Sequence, residues 1–285
     1  MSKKRALVLL VFAFALIAAA CGDDDSSDDG DTGTTVAAGE VPDLGGRTVT
    51  IAVENAYLPF NYIPASGGDP AGWDYDAFAA ICELINCTPD FVQMQWDPMI
   101  DQVAQGAVDT AGDGISITDE RAEVVDYSDA YMVVEQKFIA RLDDDRYGDA
   151  TAVIASDALV GTQVGTTNFE LASDLVGTDR IKAYDQFPLA IQALIAGDVD
   201  VVIIDDAAGQ GYVGTNADQI KTVDGALQSD PLGFIFEKGS DLVTPINTAL
   251  ALLKADGTLD ELGAKYFTDA FTITYEDIGE GAYEE

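Results

Sequence analysis

Apolar positions along this chain change period again and again. Thr48–Glu54 alternates as a strand. Asp74 to Ile85 then places Tyr75, Phe78, Ile81, Cys82 and Ile85 at helical spacing. Phe91 to Trp96 reads as the next strand, and Pro98 to Gln105 as a short helix stopped by Gly106. The second half repeats this grammar. Phe187, Ala190, Ile191, Leu194 and Ile195 share a helix face, Gly197 ends the helix, and Val199–Ile204 is a buried apolar run. Gly106-Ala-Val-Asp109 leads to Asp113, as Gly197-Asp-Val-Asp200 leads to Asp205, a repeat offset of 91 positions.

Strands alternating with helices predict an α/β fold with two mainly parallel sheets flanked by helices. Ligands of such sheets sit beyond the carboxyl ends of the strands. The predicted strand Val133–Ala140 and the run Gly233–Glu237 are expected as the two crossings between lobes. Residues 47–139 with 232–275 would then form the first lobe and 140–231 the second. Leu242, Ile246, Leu250 and Leu253 give Asp241–Leu253 an apolar face to lay on the first lobe. Thr258–Phe267 is the last predicted helix, and 276–285 an acidic tail.

The ends and the composition add an address. Lys3-Lys-Arg5 followed by the apolar run Ala6–Ala20 has the build of a secretory leader over residues 1–20, too short to span a bilayer comfortably. Ala18-Ala-Ala-Cys21-Gly resembles the lipobox of bacterial lipoproteins, which implies that Cys21 carries lipid. The alternative is an ordinary leader with an incidental cysteine. Residues 21–46, rich in Asp, Ser, Gly and Thr, read as a charged tether. The formal charge is −37, so nucleic acid and anionic lipid headgroups are excluded as partners by repulsion. The acidity reads as a solvated surface, with a saline habitat as the alternative. With no histidine, His-based triads and His metal sites are excluded, and no metal or cofactor is expected. Outside the cytoplasm Cys82 and Cys87 are expected to form a disulfide, with two free thiols as the alternative.

The chemistry concentrates in Gly114-Ile-Ser-Ile-Thr-Asp-Glu-Arg121. Glycine admits close backbone approach, Ser116 and Thr118 offer hydroxyls, and Arg121 presents a fork suited to a carboxylate. Asp205, at the end of a buried strand, offers an anion for an ammonium. A cation for a carboxylate and an anion for an amine describe a receptor for a free amino acid. The alternatives are an Arg121 paired on the surface with Glu120 or Glu123, and an Asp205 that caps the next helix.

Several ordered motifs complete the picture: Tyr57-Leu-Pro-Phe60, Gly72-Trp-Asp-Tyr-Asp76, the Gly114–Arg121 run, Asp126-Tyr-Ser-Asp-Ala-Tyr131, Gly161-Thr-Gln-Val-Gly-Thr-Thr167, Asp200–Asp205 and Leu253-Lys-Ala-Asp-Gly-Thr258. In this order the chain resembles the family 3 solute-binding proteins, the polar amino-acid receptors of ABC importers, from about Arg47 to Phe267. The resemblance implies a two-lobed, hinged, periplasmic-binding-protein-like fold of type II. It implies that Arg121, Ser116 and the Thr166–Thr167 turn hold an α-carboxylate, and that Asp205 and the Gly114 carbonyl hold the α-ammonium. Tyr57 and Trp96 would wall the ligand side chain. Asp113 and Glu54, two acids by the pocket, would favour a cationic ligand, since some relatives place an acid at the position of Glu54. The expected protein is a monomeric, lipid-anchored extracytoplasmic receptor that hands its amino acid to an ABC permease. The alternative is an extracytoplasmic enzyme on the same fold, a dehydratase or peptidoglycan lyase.

Overall fold

The computed structural model describes residues 41–64, 68–268 and 271. The leader, Cys21, most of the tether and the acidic tail lie outside the described residues. The tether's last residues belong to the folded body. The backbone N–H groups of Leu44 and Gly46 donate to the carbonyls of Ile85 and Asn86 at 2.8 Å each. Body and tether therefore divide before Leu44 and not at Arg47.

The apolar alternation of the first strand produces β1 (Arg47–Val53), followed by a small hairpin of β2 (Ala56–Tyr57) and β3 (Asn61–Tyr62). Helix α1 (Trp73–Ile85) buries Phe78, Ile81, Cys82 and Ile85 on one face. It ends at Asn86 in the left-handed conformation, and Cys82 is bonded to Cys87 just beyond it, with Cα atoms 4.5 Å apart. Next come β4 (Cys87–Gln93), α2 (Trp96–Ala104), β5 (Thr110–Ala111), a short 3-10 turn at Arg121–Glu123 and β6 (Val125–Tyr127). The chain continues through β7 (Met132–Arg141), α3 (Ala150–Ala155), β8 (Val160–Gln163), α4 (Thr167–Val176), β9 (Ile181–Tyr184), α5 (Phe187–Ala196), β10 (Val201–Asp205) and α6 (Asp206–Thr215). It closes with β11 (Ile220–Thr222), β12 (Gln228–Leu232), β13 (Ile235–Glu237), α7 (Val243–Asp256) and α8 (Thr258–Tyr266).

The strands form two large sheets, ordered β4-β1-β5-β13-β6 and β11-β7-β10-β8-β9, with β12 paired to β7. Each keeps a parallel heart, β4-β1-β5 in one and β10-β8-β9 in the other. The remaining pairs are antiparallel, so the sheets are mixed where mainly parallel ones were expected. The cause is the crossings: β13 and β7, by which the chain arrives from the other sheet, run against the parallel hearts, and β6, β11 and β12 pair antiparallel to those two. The first crossing also lies earlier than expected. All of β7 pairs within the second sheet, so the chain changes sheet between Tyr127 and Met132 and not along 133–140. The return falls between Leu232 and Ile235.

The internal repeat is real at atomic level. Asp109 accepts from the Thr50 N–H at 2.8 Å and pairs with Arg47 at 3.0 Å. Asp200 accepts from the Leu159 N–H at 2.9 Å and pairs with Arg146 at 2.6 Å. Each aspartate ties the turn before β5 or β10 to the neighbouring strand, and so fixes where Asp113 and Asp205 emerge.

Candidate functional site

The carboxyl ends of both parallel hearts converge on a small, partly open cavity. Tyr57, Trp96, Asp113, Gly114, Ser116 and Arg121 line it from the first sheet's side, and Thr166, Thr167 and Asp205 from the second's. Nine of the residues singled out in the sequence are thus brought together. Gln163, Asn168 and Phe187 also line it. Gln163 sits inside the quoted Gly161–Thr167 motif and Asn168 follows it. Phe187 was legible only as an apolar helix position.

Gly114 has φ +60°, and a Cβ there would meet Tyr57 Cε1 at 2.7 Å, so this turn requires glycine. Close approach lets the Tyr57 ring stack between Phe60 and Phe187, with centroids 5.3 and 5.4 Å away. The guanidinium of Arg121 lies over Trp96 at 5.2 Å and donates to the Ser116 carbonyl at 3.2 Å and the Gly165 carbonyl at 3.4 Å. No ion pair with Glu120 or Glu123 occurs among the described residues. Thr166 caps α4 by accepting from the Phe169 N–H at 3.1 Å, and the start of that helix, Thr166 to Asn168, lines the cavity.

Asp205 stands at the head of α6 but its side chain makes no capping bond. Its oxygens accept instead from Tyr57 Oη at 2.8 Å and Asn168 Nδ2 at 3.0 Å. Asp206 does not cap α6 either; it accepts from the Glu135 N–H. Burial lifts the Asp205 carboxyl to about 6, against the two hydrogen bonds that favour its charged form.

Two expected residues, Thr118 and Glu54, do not line the cavity; the Thr118 hydroxyl accepts from the Arg121 N–H at 3.1 Å, and Glu54 lies behind the lining. It is 2% exposed, and both of its oxygens accept from Gln163 Nε2, at 2.9 and 3.1 Å. Burial first, and the neighbouring Asp113 second, hold the Glu54 carboxyl well above its ordinary range. Behind Asp113, Asn61 Nδ2 donates both to Asp113 at 2.6 Å and to the buried Asp74 at 2.8 Å. Several of these contacts join the two halves directly: Tyr57 to Asp205, Gln163 to Glu54, Trp96 Nε1 to the Gly165 carbonyl at 3.1 Å, and Ser116 with Thr167 at 3.2 Å.

Chemically, the cavity offers a guanidinium and a helix start to an anion, a buried carboxylate to a cation, and aromatic faces between them. No group of His, Cys, Asp and Glu among the described residues is arranged to hold a metal.

The family described as bacterial extracellular solute-binding proteins, family 3, matches residues 49–269. The L-cystine-binding protein TcyJ of Escherichia coli (strain K12) is 25% identical over 77% of this chain and 82% of its own length. Among solved structures, the arginine-, lysine-, histidine-binding protein ArtJ of Geobacillus stearothermophilus superimposes with a TM-score of 0.72. It is 28% identical over 78% of this chain and 95% of that one. The ancestral amino acid-binding protein AncCDT-1, a precursor of cyclohexadienyl dehydratase, has the same TM-score at 29% identity, covering 78% of this chain and 96% of its own.

Proposed function

The chain belongs to the family 3 bacterial extracellular solute-binding proteins, and from that premise we propose that it binds one free amino acid in the cavity between its two lobes and delivers it to an ABC permease. The observation that carries this reading is the placement of Arg121 and Asp205 in the lining of one cavity, each reached from a different sheet. The α-carboxylate would meet Arg121, Ser116 and the start of α4. The α-ammonium would meet Asp205 and the Gly114 carbonyl. Each charge-assisted bond in so buried a site is worth about 1.5–3 kcal/mol. Several of them, less the cost of ordering ligand and lobes, support micromolar affinity, about −8 kcal/mol.

Arg121→Ala and Asp205→Asn test the reading. Each variant is expected to lose amino-acid binding in equilibrium dialysis while melting as the parent does; full binding by either would overturn it.

Anchoring by lipid on Cys21 belongs to the same proposal, supported by the small-residue run before that cysteine. Cys21→Ser is expected to release the protein from the membrane fraction. Equal retention of parent and variant would contradict the anchor.

A second reading, an enzyme on this fold, draws support from the likeness to a precursor of a dehydratase. Asp113 would then be a general acid. Turnover separates the two: a receptor returns its ligand unchanged.

A further inference from the structure

With Arg121 and Asp205 committed to the α-groups and Asn168 turned to Asp205, to which its Nδ2 donates at 3.0 Å, Asp113 and Gln163 are the side chains considered for reading the ligand's own side chain. Asp113 is 4% exposed and lines the cavity. Its Oδ1 accepts from Asn61 Nδ2 at 2.6 Å and the Glu54 N–H at 3.4 Å. Its Oδ2 accepts from no group among the described residues, so a carboxylate more than nine-tenths buried keeps one oxygen open to the cavity. Gln163 has spent both amide hydrogens, one on Glu54 and one on the Asp185 carbonyl at 2.8 Å. What it retains for a ligand is its carbonyl oxygen. Both side chains therefore offer acceptors and no donor.

Resting on the amino-acid-receptor reading, we infer that Asp113 Oδ2 and the Gln163 carbonyl form a subsite for a cationic side chain, an ammonium or guanidinium, and that Glu54 is a positioning residue that orients Gln163. This keeps the role expected of Asp113 and changes that of Glu54, which the sequence placed beside it as a ligand contact. Two acids in the neighbourhood do not do the same work: one has an open oxygen and the other has none.

The surroundings of Asp113 fit a cation. Glu54 faces it from the end of β1, Tyr57 from β2, Asp74 and Tyr75 from α1, and Tyr131 from ahead of β7. All are acids or phenols, and Arg121 is the sole cation lining the cavity among the described residues. Burial pushes the Asp113 carboxyl up to about 7. A cationic side chain favours its ionised form, so selectivity for cations should grow as pH rises through that value.

The test is calorimetric titration of the intact protein with two matched pairs, arginine against citrulline and lysine against Nε-acetyllysine, at about pH 6 and about pH 8. The parent is expected to favour the cation of at least one pair by about tenfold or more at the higher pH, the loss of one charged hydrogen bond, and by less at the lower. Asp113→Asn should collapse that ratio and its pH dependence. Glu54→Gln should weaken both members of the pair while keeping a pH-dependent ratio. Parity in the parent, a preference for the neutral partner, or a ratio that survives Asp113→Asn and disappears in Glu54→Gln would overturn the inference. The parent comparison stands even if a variant fails to fold. Binding without cationic preference defeats this inference alone, whereas silence from every amino acid defeats the receptor reading as well.

Discussion

Arg121 and Asp205 are unequal partners in how far the protein itself satisfies them. Asp205 already accepts two hydrogen bonds, from Tyr57 and Asn168, while Arg121 touches only carbonyls and the Trp96 face. Removing one side of a buried charge pair leaves the other unpaired, a loss on the order of 2–5 kcal/mol. Arg121→Ala is expected near the upper end, because only α4's N-terminus and hydroxyls would remain for the carboxylate. Asp205→Asn is expected nearer the lower end, since an amide can still accept from Tyr57; the dialysis constants of the two variants check the order. Most of this site was legible residue by residue, because glycine, hydroxyl and arginine in one short run have few other uses. Gln163 and Phe187 were not. Nothing in a sequence says that an amide will be turned by an acid from the other sheet, or that an apolar helix position will stack on Tyr57 at the cavity edge.

At the scale of elements, periodicity found the strands and helices but not always their ends or their sheet. Trp96 was expected to finish a strand. It opens α2, and Pro98 falls in the first turn, where a missing N–H costs nothing. The strand before it starts earlier, at Cys87, and tolerates Pro89 because β4 is an edge strand. Strand β7 was identified correctly as a strand, yet alternation cannot reveal which sheet it joins. The disulfide was legible from two cysteines alone in a predicted extracytoplasmic chain. It ties α1 to β4 next to the anchored residues Leu44 and Gly46. Closing so short a loop is worth about 2 kcal/mol on the loop-entropy account. Replacing both cysteines by serine should lower the unfolding free energy by about that amount in denaturant titration while leaving ligand affinity unchanged. An unchanged midpoint would show that the bridge adds no stability.

At the scale of the molecule, two mixed sheets meet through hydrogen bonds that cross the cavity, and a ligand held by both sides adds to them. A ligand shifts the balance between open and closed lobes only by its differential affinity for the two, so it must touch Arg121 and Asp205 together. On the proposed reading an amino acid does so through its two α-groups, whatever its side chain. The central claim is this double grip, and one calorimetric experiment addresses it. The protein is titrated with the amino acid that binds it best among the twenty, then with that amino acid's methyl ester and with the amine left by removing its carboxyl group. The account predicts micromolar binding of the amino acid and a loss of about a hundredfold or more for both analogues, as expected when a buried charge goes unmatched. Equal affinity for the amino acid and either analogue would contradict it.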